Sequence, residues 1–133
     1  MTPNSPAQRA APHAANAYAQ AAIENAPPLK LVCLLYQGAI RFLDTAAACP
    51  PAGAGSKFHE WLTRAEDIVV ELRLSLDDQS APELAGNLSD LYLFAEHEIQ
   101  RARREQSVQP LAGARDVLAK LLEAWTAIET GKA

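Results

Sequence analysis

A chain of 133 residues, 49% hydrophobic and 21% charged, has room for one domain with a real core and too little for two ordinary ones. Ala and Leu dominate the apolar share and only 6% of residues are aromatic, a mix that favours helix over sheet. The formal net charge of −4 argues against a general binder of nucleic acid or anionic membrane, because those surfaces reward positive charge.

Residues 1–16 hold three of the nine prolines among Ala, Asn, Ser and Gln, with almost nothing to bury, so a mobile tail is expected there. The start has neither a basic opening nor an apolar run of about 7–15 residues, so no secretory signal is read in it. A helical domain is expected over 17–130. It opens with a short helix from Ala17 to Ile23 that carries Tyr18, Ala22 and Ile23 toward one side.

The first long helix is predicted from about Pro28 to about Ala48, with proline tolerated in its first turn because the missing N–H had no intrahelical partner there. Its stretch Leu31 to Leu43 has one formal charge, Arg41, and apolar side chains on every face. Such a helix is buried by several neighbours at once, or shares its surface with a second chain. It is too short for a bilayer, which takes roughly 20 apolar residues. Gly38 lies inside it, where glycine costs about 1 kcal/mol relative to alanine. The expected return is the close approach of another backbone, from a bundle helix or from a partner.

Pro50-Pro51 with Gly53 and Gly55 ends this helix, and Ser56 is the expected N-cap of the next. There Phe58, Trp61, Leu62, Ala65, Ile68, Val69, Leu72 and Leu76 step by three and four, a helical stripe. Ser80-Ala81-Pro82-Glu83 reads as a capping box opening a third helix, whose stripe is Leu84, Leu88, Leu91, Tyr92, Ala95, Ile99 and Ala102. Ser107 is placed to cap a fourth, with Pro110 in its first turn and Leu111, Ala114, Leu118, Leu121, Trp125 and Ile128 as its stripe. No segment alternates long enough to be a strand. The fold class expected is all-α, an antiparallel up-down four-helix bundle.

Catalytic constellations are missing. The six glycines form no phosphate-binding loop, and His13, His59 and His97 are not paired at helical spacing, so no metal site, cofactor or catalytic residue is expected. Cys33 and Cys49 are 16 residues apart on one helix, or roughly 24 Å at the helical rise, far beyond the approximately 7 Å a disulfide tolerates. Free thiols in a reducing cytoplasm follow, with Cys33 a small core residue. Arg101, Arg103 and Arg104 stand among Glu96, Glu98 and Glu105, a salt-bridged solvent face rather than a nucleic-acid site.

The motifs along the chain resemble the flagellin export chaperones, the FliS-type family, over almost all of Ala17 to Trp125. Asn16-Ala17-Tyr18 followed by Ile23 matches the N-terminal motif. Ala26-x-Pro28-x-x-Leu31 and then Leu35-Tyr36-x-Gly38-Ala39-Ile40-x-Phe42-Leu43 match the most specific one. Ala65-x-Asp67-Ile68, Ser75-Leu76-Asp77, Ala85-x-Asn87-Leu88-x-x-Leu91-Tyr92 and Ala124-Trp125 follow in order. The chain departs from the family at Asn25, Pro27, Gln37, Ala81-Pro82, Phe94 and Arg103, which bears on capping (Asn25 is a substitute N-cap for the first long helix) and on partner choice.

The resemblance implies a bundle with the short N-terminal helix packed across it. It implies a cytoplasmic, non-enzymatic chaperone for bacterial flagellum assembly. Its partner would be the C-terminal helical segment of flagellin, kept from polymerising early and delivered to the type III export gate, itself a candidate contact. Partner-binding residues would be Tyr18, Ile23, Leu31, Tyr36, Gly38, Ile40, Asn87, Leu91 and Tyr92. Tyr18 and Ile23 form a detachable cap over a groove lined by Leu31, Tyr36, Ile40, Leu88 and Tyr92, with ordinary core packing the alternative for each. The chain would act as a monomer or weak homodimer, without nucleic acid and without membrane insertion. A self-associating helical adaptor, or a small enzyme using Cys33 or a histidine–carboxylate pair, are the rival readings.

Overall fold

The computed structural model describes residues 28–131, and among them there are four helices and no strand. They are α1 (Leu29–Ala47), α2 (Lys57–Leu74), α3 (Pro82–Glu105) and α4 (Gln109–Glu129). The expected mobile tail over 1–16, and Tyr18, Ile23 and Asn25, lie outside the described residues.

Helix α1 starts at Pro28, whose carbonyl accepts the Val32 N–H at 3.1 Å, with no side-chain cap. The helix closes where Ala48 and Cys49 donate back to Asp44 and Ala46, just ahead of Pro50-Pro51. Ser56 caps α2 as expected, its hydroxyl accepting the His59 N–H. Ser107, the expected cap of α4, does not cap it: the N-cap is Val108, with no side-chain cap bond, and the Ser107 hydroxyl instead accepts the Gln109 N–H at 3.2 Å from one residue further out.

The capping box at Ser80 does not form; the N-cap of α3 is Ala81, with no side-chain cap bond. A capping box headed by Ser80 would need Ala81 in the helical region, and the ring of Pro82 disfavours that conformation in the residue before it. Ala81 takes φ −147°, ψ 69° instead. Asp77 winds the connection, its Oδ1 accepting the N–H groups of Gln79 and Ser80. In consequence Ala85 rather than Leu84 is the first buried residue within α3.

Each helix packs on two others: α1 on α2 and α4, and α3 on α2 and α4. The buried stripes meet inside this ring, where Tyr36, Leu43, Phe58, Leu62, Val69, Leu88, Ile99, Val117, Leu118 and Leu121 are sealed from solvent. Ion pairs stitch its seams. Arg73 grips Glu96 through two bonds of 2.6 and 3.1 Å, and Arg103 reaches Glu66 at 2.8 Å, both between α2 and α3. Arg115 clasps Asp44 at 2.6 and 3.2 Å between α4 and α1. Arg101 is bracketed by Glu98 and Glu105, the salt-bridged face read from sequence; Glu96 turns inward instead.

At one end Gln106 ties two connections together. It sits in the left-handed region (φ 52°), its Oε1 accepts the Gly53 N–H at 2.7 Å, and its Nε2 donates to the Arg103 carbonyl at 2.7 Å. This holds the segment between α1 and α2 against the turn between α3 and α4. No described helix is long and apolar enough to cross a membrane.

Gly38 is buried, yet among the described residues no backbone of another helix comes within contact of it. A Cβ built there would meet the terminal methyl of Ile68 on α2 at 3.4 Å. The backbone approach expected of a bundle helix is thus replaced by a side chain that can swing aside. Gly38→Ala should then leave stability unchanged or raise it by up to about 1 kcal/mol, the helix-propensity gain. An unfolding free energy from urea titration lower than wild type by more than about 1 kcal/mol would show that Ile68 cannot give way.

Candidate partner-binding site

The face of α1 turned away from the bundle carries the unusual residues. Lys30, Leu34, Gln37, Arg41 and Asp44 follow one another by three or four along it, and all are exposed. Leu34 is 54% exposed and its neighbour Leu31 47%, large apolar groups left bare on the helix that sequence patterning reads as buried all round. On the α4 side of this face Ile40, Thr45 and Ala48 join Leu122 to form an open cleft of about 570 Å3, rimmed by Gln37, Arg41 and Asp44. On the α2 side Phe42 stacks on Trp61 with ring centroids 5.4 Å apart, and Arg41 and Arg64 lie over the two rings.

Beneath this surface lies a polar knot in an apolar interior. The hydroxyls of Tyr36 on α1 and Tyr92 on α3 share a hydrogen bond across the bundle, and the Trp125 indole of α4 lies beside the same Tyr36 phenol. Burial pushes the Tyr36 phenol well above its ordinary value of 10.0, and Tyr92 adds to the shift. A group whose folded value is raised contributes stability that is complete below its unfolded value and lost as pH rises through the folded one. Above about pH 10 the wild type should therefore lose stability faster than Tyr36→Phe. Urea midpoints for both proteins at neutral pH and at about pH 11 check this; parallel losses would remove Tyr36 as the cause.

Cys33 is buried against α4, and desolvation raises its thiol above the ordinary value despite a hydrogen bond with Thr126. That favours the protonated, unreactive form, in keeping with a core residue. Neither cysteine is in a disulfide.

The residues singled out from sequence divide by depth. Leu31 and Asn87 are exposed and Ile40 is half-buried at the cleft. Tyr36, Gly38, Leu88, Leu91 and Tyr92 are buried, with Tyr36 and Tyr92 brought together, while Asn87, Leu88 and Leu91 belong to α3, which packs on α2 and α4 rather than on α1. Tyr18 and Ile23 are outside the described residues. Patterning passed over Leu34, Gln37, Arg41 and Leu122. The signal was present, since Lys30, Leu34, Gln37 and Arg41 already share one face by their spacing.

Two comparisons bear on this arrangement. The chain is 31% identical over 103 residues to the Flagellar secretion chaperone FliS of Vibrio cholerae serotype O1, covering 77% of this chain and 76% of that protein. It is 30% identical over 117 residues to the Flagellar secretion chaperone FliS of Salmonella typhimurium, covering 84% of this chain and 87% of that one. The family model described as Flagellar protein FliS matches residues 11–132, which takes in all four helices, the bare face of α1 and the tyrosine pair below it. On that span of agreement, the chain belongs to the FliS family of flagellar proteins.

Proposed function

We propose that this protein is a cytosolic, non-catalytic chaperone that binds the C-terminal helical segment of flagellin, keeps it from polymerising and passes it to the flagellar export apparatus. Its architecture on this reading is an antiparallel up-down bundle with residues 17–23 lying across it. The observation that carries the proposal is family membership joined to an α1 that leaves Leu31 and Leu34 bare beside an apolar cleft. A segment that folds only on assembly exposes an amphipathic stripe while free, and a helical groove accepts such a stripe through anchors at i, i+3 and i+4. Coupled folding and binding of this kind buries about 1,000–3,000 Å2 and spends roughly 2–5 kcal/mol on ordering, with no covalent step.

On this proposal Leu31, Ile40 and Asn87 meet the partner, and Tyr36, Gly38, Leu91 and Tyr92 form the packed layer that sets the groove's depth. Tyr18 and Ile23 act as its removable cover. Co-purification with the cognate flagellin, full-length and lacking its C-terminal segment, tests the reading. Binding that survives loss of that segment, or no binding at all, would overturn it. Deleting residues 1–23 should tighten the complex or leave it unchanged. A folded deletion variant with no affinity would make the cover part of the site.

A further inference from the structure

We infer that the bare face of α1 is an electrostatic reader: it selects an amphipathic helical segment that carries carboxylates flanking its apolar stripe. The inference deepens the chaperone reading and rests on it. Its starting point is the sign of the charge on this face. The whole chain is acidic at −4, yet the exposed line Lys30, Leu34, Gln37, Arg41 and Asp44 displays two cations and one anion. The anion is already taken, because Arg115 of α4 holds both oxygens of Asp44. Arg41 and Lys30 have no carboxylate within ion-pair distance among the described residues. Every other described arginine except Arg104 is committed to an acid.

The geometry narrows the occupant. Lys30 and Arg41 are three helical turns apart, about 16 Å at the helical rise, with Leu34 between them. One face of the Arg41 guanidinium rests on the Phe42 ring, which leaves its N–H edges free to turn toward the cleft it rims. A helix laid along α1 would seat apolar residues on Leu34, Ile40 and Leu122. It would place one carboxylate near Arg41 and a second about three turns away near Lys30. A neutral amphipathic helix would fill the same cleft without those two contacts. The cations thus add discrimination to a hydrophobic site, and rim charges of this type act on association rate and salt dependence.

The test uses the full-length protein and a synthetic peptide of the cognate flagellin C-terminal segment, beside the same peptide with every Asp and Glu changed to Asn and Gln. Affinities are measured at low and high salt for wild type, K30Q/R41Q, K30E/R41E and R104Q, the last a control for bulk charge on an exposed arginine outside the face. Circular dichroism melts confirm that all four fold, as expected for exposed positions. K30Q/R41Q should bind the acidic peptide about three- to tenfold more weakly at low salt, with a flatter salt response, and K30E/R41E more weakly still. R104Q should match wild type, and the amidated peptide should bind wild type and K30Q/R41Q alike. Equal affinity of wild type and both double variants for the acidic peptide at every salt level would overturn the inference while leaving the chaperone reading intact. Absence of wild-type binding would remove both. Two further results would also overturn it. If the substitutions change only the light-scattering mass of the free protein, the face is a self-contact. If the difference vanishes once residues 1–27 are deleted, it reads the chain's own amino-terminal segment.

Discussion

Trp125→Ala should destabilise the protein by about 3–5 kcal/mol, a large share of the roughly 5–15 kcal/mol that holds a domain of this size. The indole is 3% exposed near the end of α4, packed in the core cluster with Tyr36 and Tyr92. Removing it opens a cavity where three helices converge, and it strips a neighbour from a phenol that cannot reach water. The fall should be larger than for truncating a half-buried residue such as Trp61, whose rings are shared with solvent and with Arg64. Urea titration followed by circular dichroism is the measurement. An unchanged m-value with a lowered midpoint isolates stability from a change in compactness. Trp125→Phe keeps most of the apolar area, so it should lose much less; equal losses would place the effect in the indole N–H rather than in its volume. A loss below about 1 kcal/mol for the alanine variant would mean that the bundle collapses into the space.

The same residue shows how far sequence reasoning reaches. Trp125, Leu121, Leu118 and Ala114 are buried because they fall on one stripe of an amphipathic helix, and that stripe is written in local spacing. Helix existence and the cap at Ser56 were legible for the same reason: each depends on residues within a turn of one another. The cap at Ser80 was misread because two local rules competed and the restriction before Pro82 prevailed. What spacing does not contain is which helix lies opposite. Glu96 stood in sequence among arginines of its own helix, yet its partner is Arg73 on α2. The left-handed turn at Gln106 is held by Gly53 from a distant loop. At the site, periodicity cannot separate a side chain lining a groove from one in the core, since both fall on the apolar stripe. Leu31 and Tyr36 were therefore read alike, and only tertiary packing distinguishes the bare leucine from the buried tyrosine. Arg41 went unread as a site residue because a lone cation on an apolar helix gains meaning only once the acids around it are known to be engaged.

The Arg73–Glu96 pair yields the second large effect, and its asymmetry is the informative part. Glu96 is 4% exposed, whereas the Arg73 side chain keeps about a quarter of its surface in water, at 26%. Arg73→Ala leaves a carboxylate buried without its cation and should cost about 3 kcal/mol, toward the lower end of what breaking a buried pair takes. Glu96→Gln leaves a guanidinium that can turn to solvent, so it should cost nearer 1 kcal/mol. Replacing both by apolar residues of similar volume, Arg73→Met with Glu96→Leu, should recover most of the loss, because desolvating two charges offsets most of their attraction. By contrast, truncating Arg115, whose pair with Asp44 is about half exposed at 46% and 51%, should cost no more than about 1 kcal/mol and less in high salt. Denaturant midpoints for the two single variants and the double variant are the measurement, and Arg73→Met and Glu96→Leu made singly close the thermodynamic cycle with the double variant. If Arg73→Ala and Glu96→Gln proved equally costly, solvent would have to reach both partners alike, and the α2–α3 seam would be looser than its two short bonds imply. That outcome would move the rigid half of the bundle elsewhere. As it stands, α2 and α3 are bolted together by two part-buried ion pairs, while one half-exposed ion pair joins α1 to α4. Of these two seams, the one with fewer and more exposed ion pairs lies beside the bare face, where a surface that must accept a foreign helix has most to gain from being able to adjust.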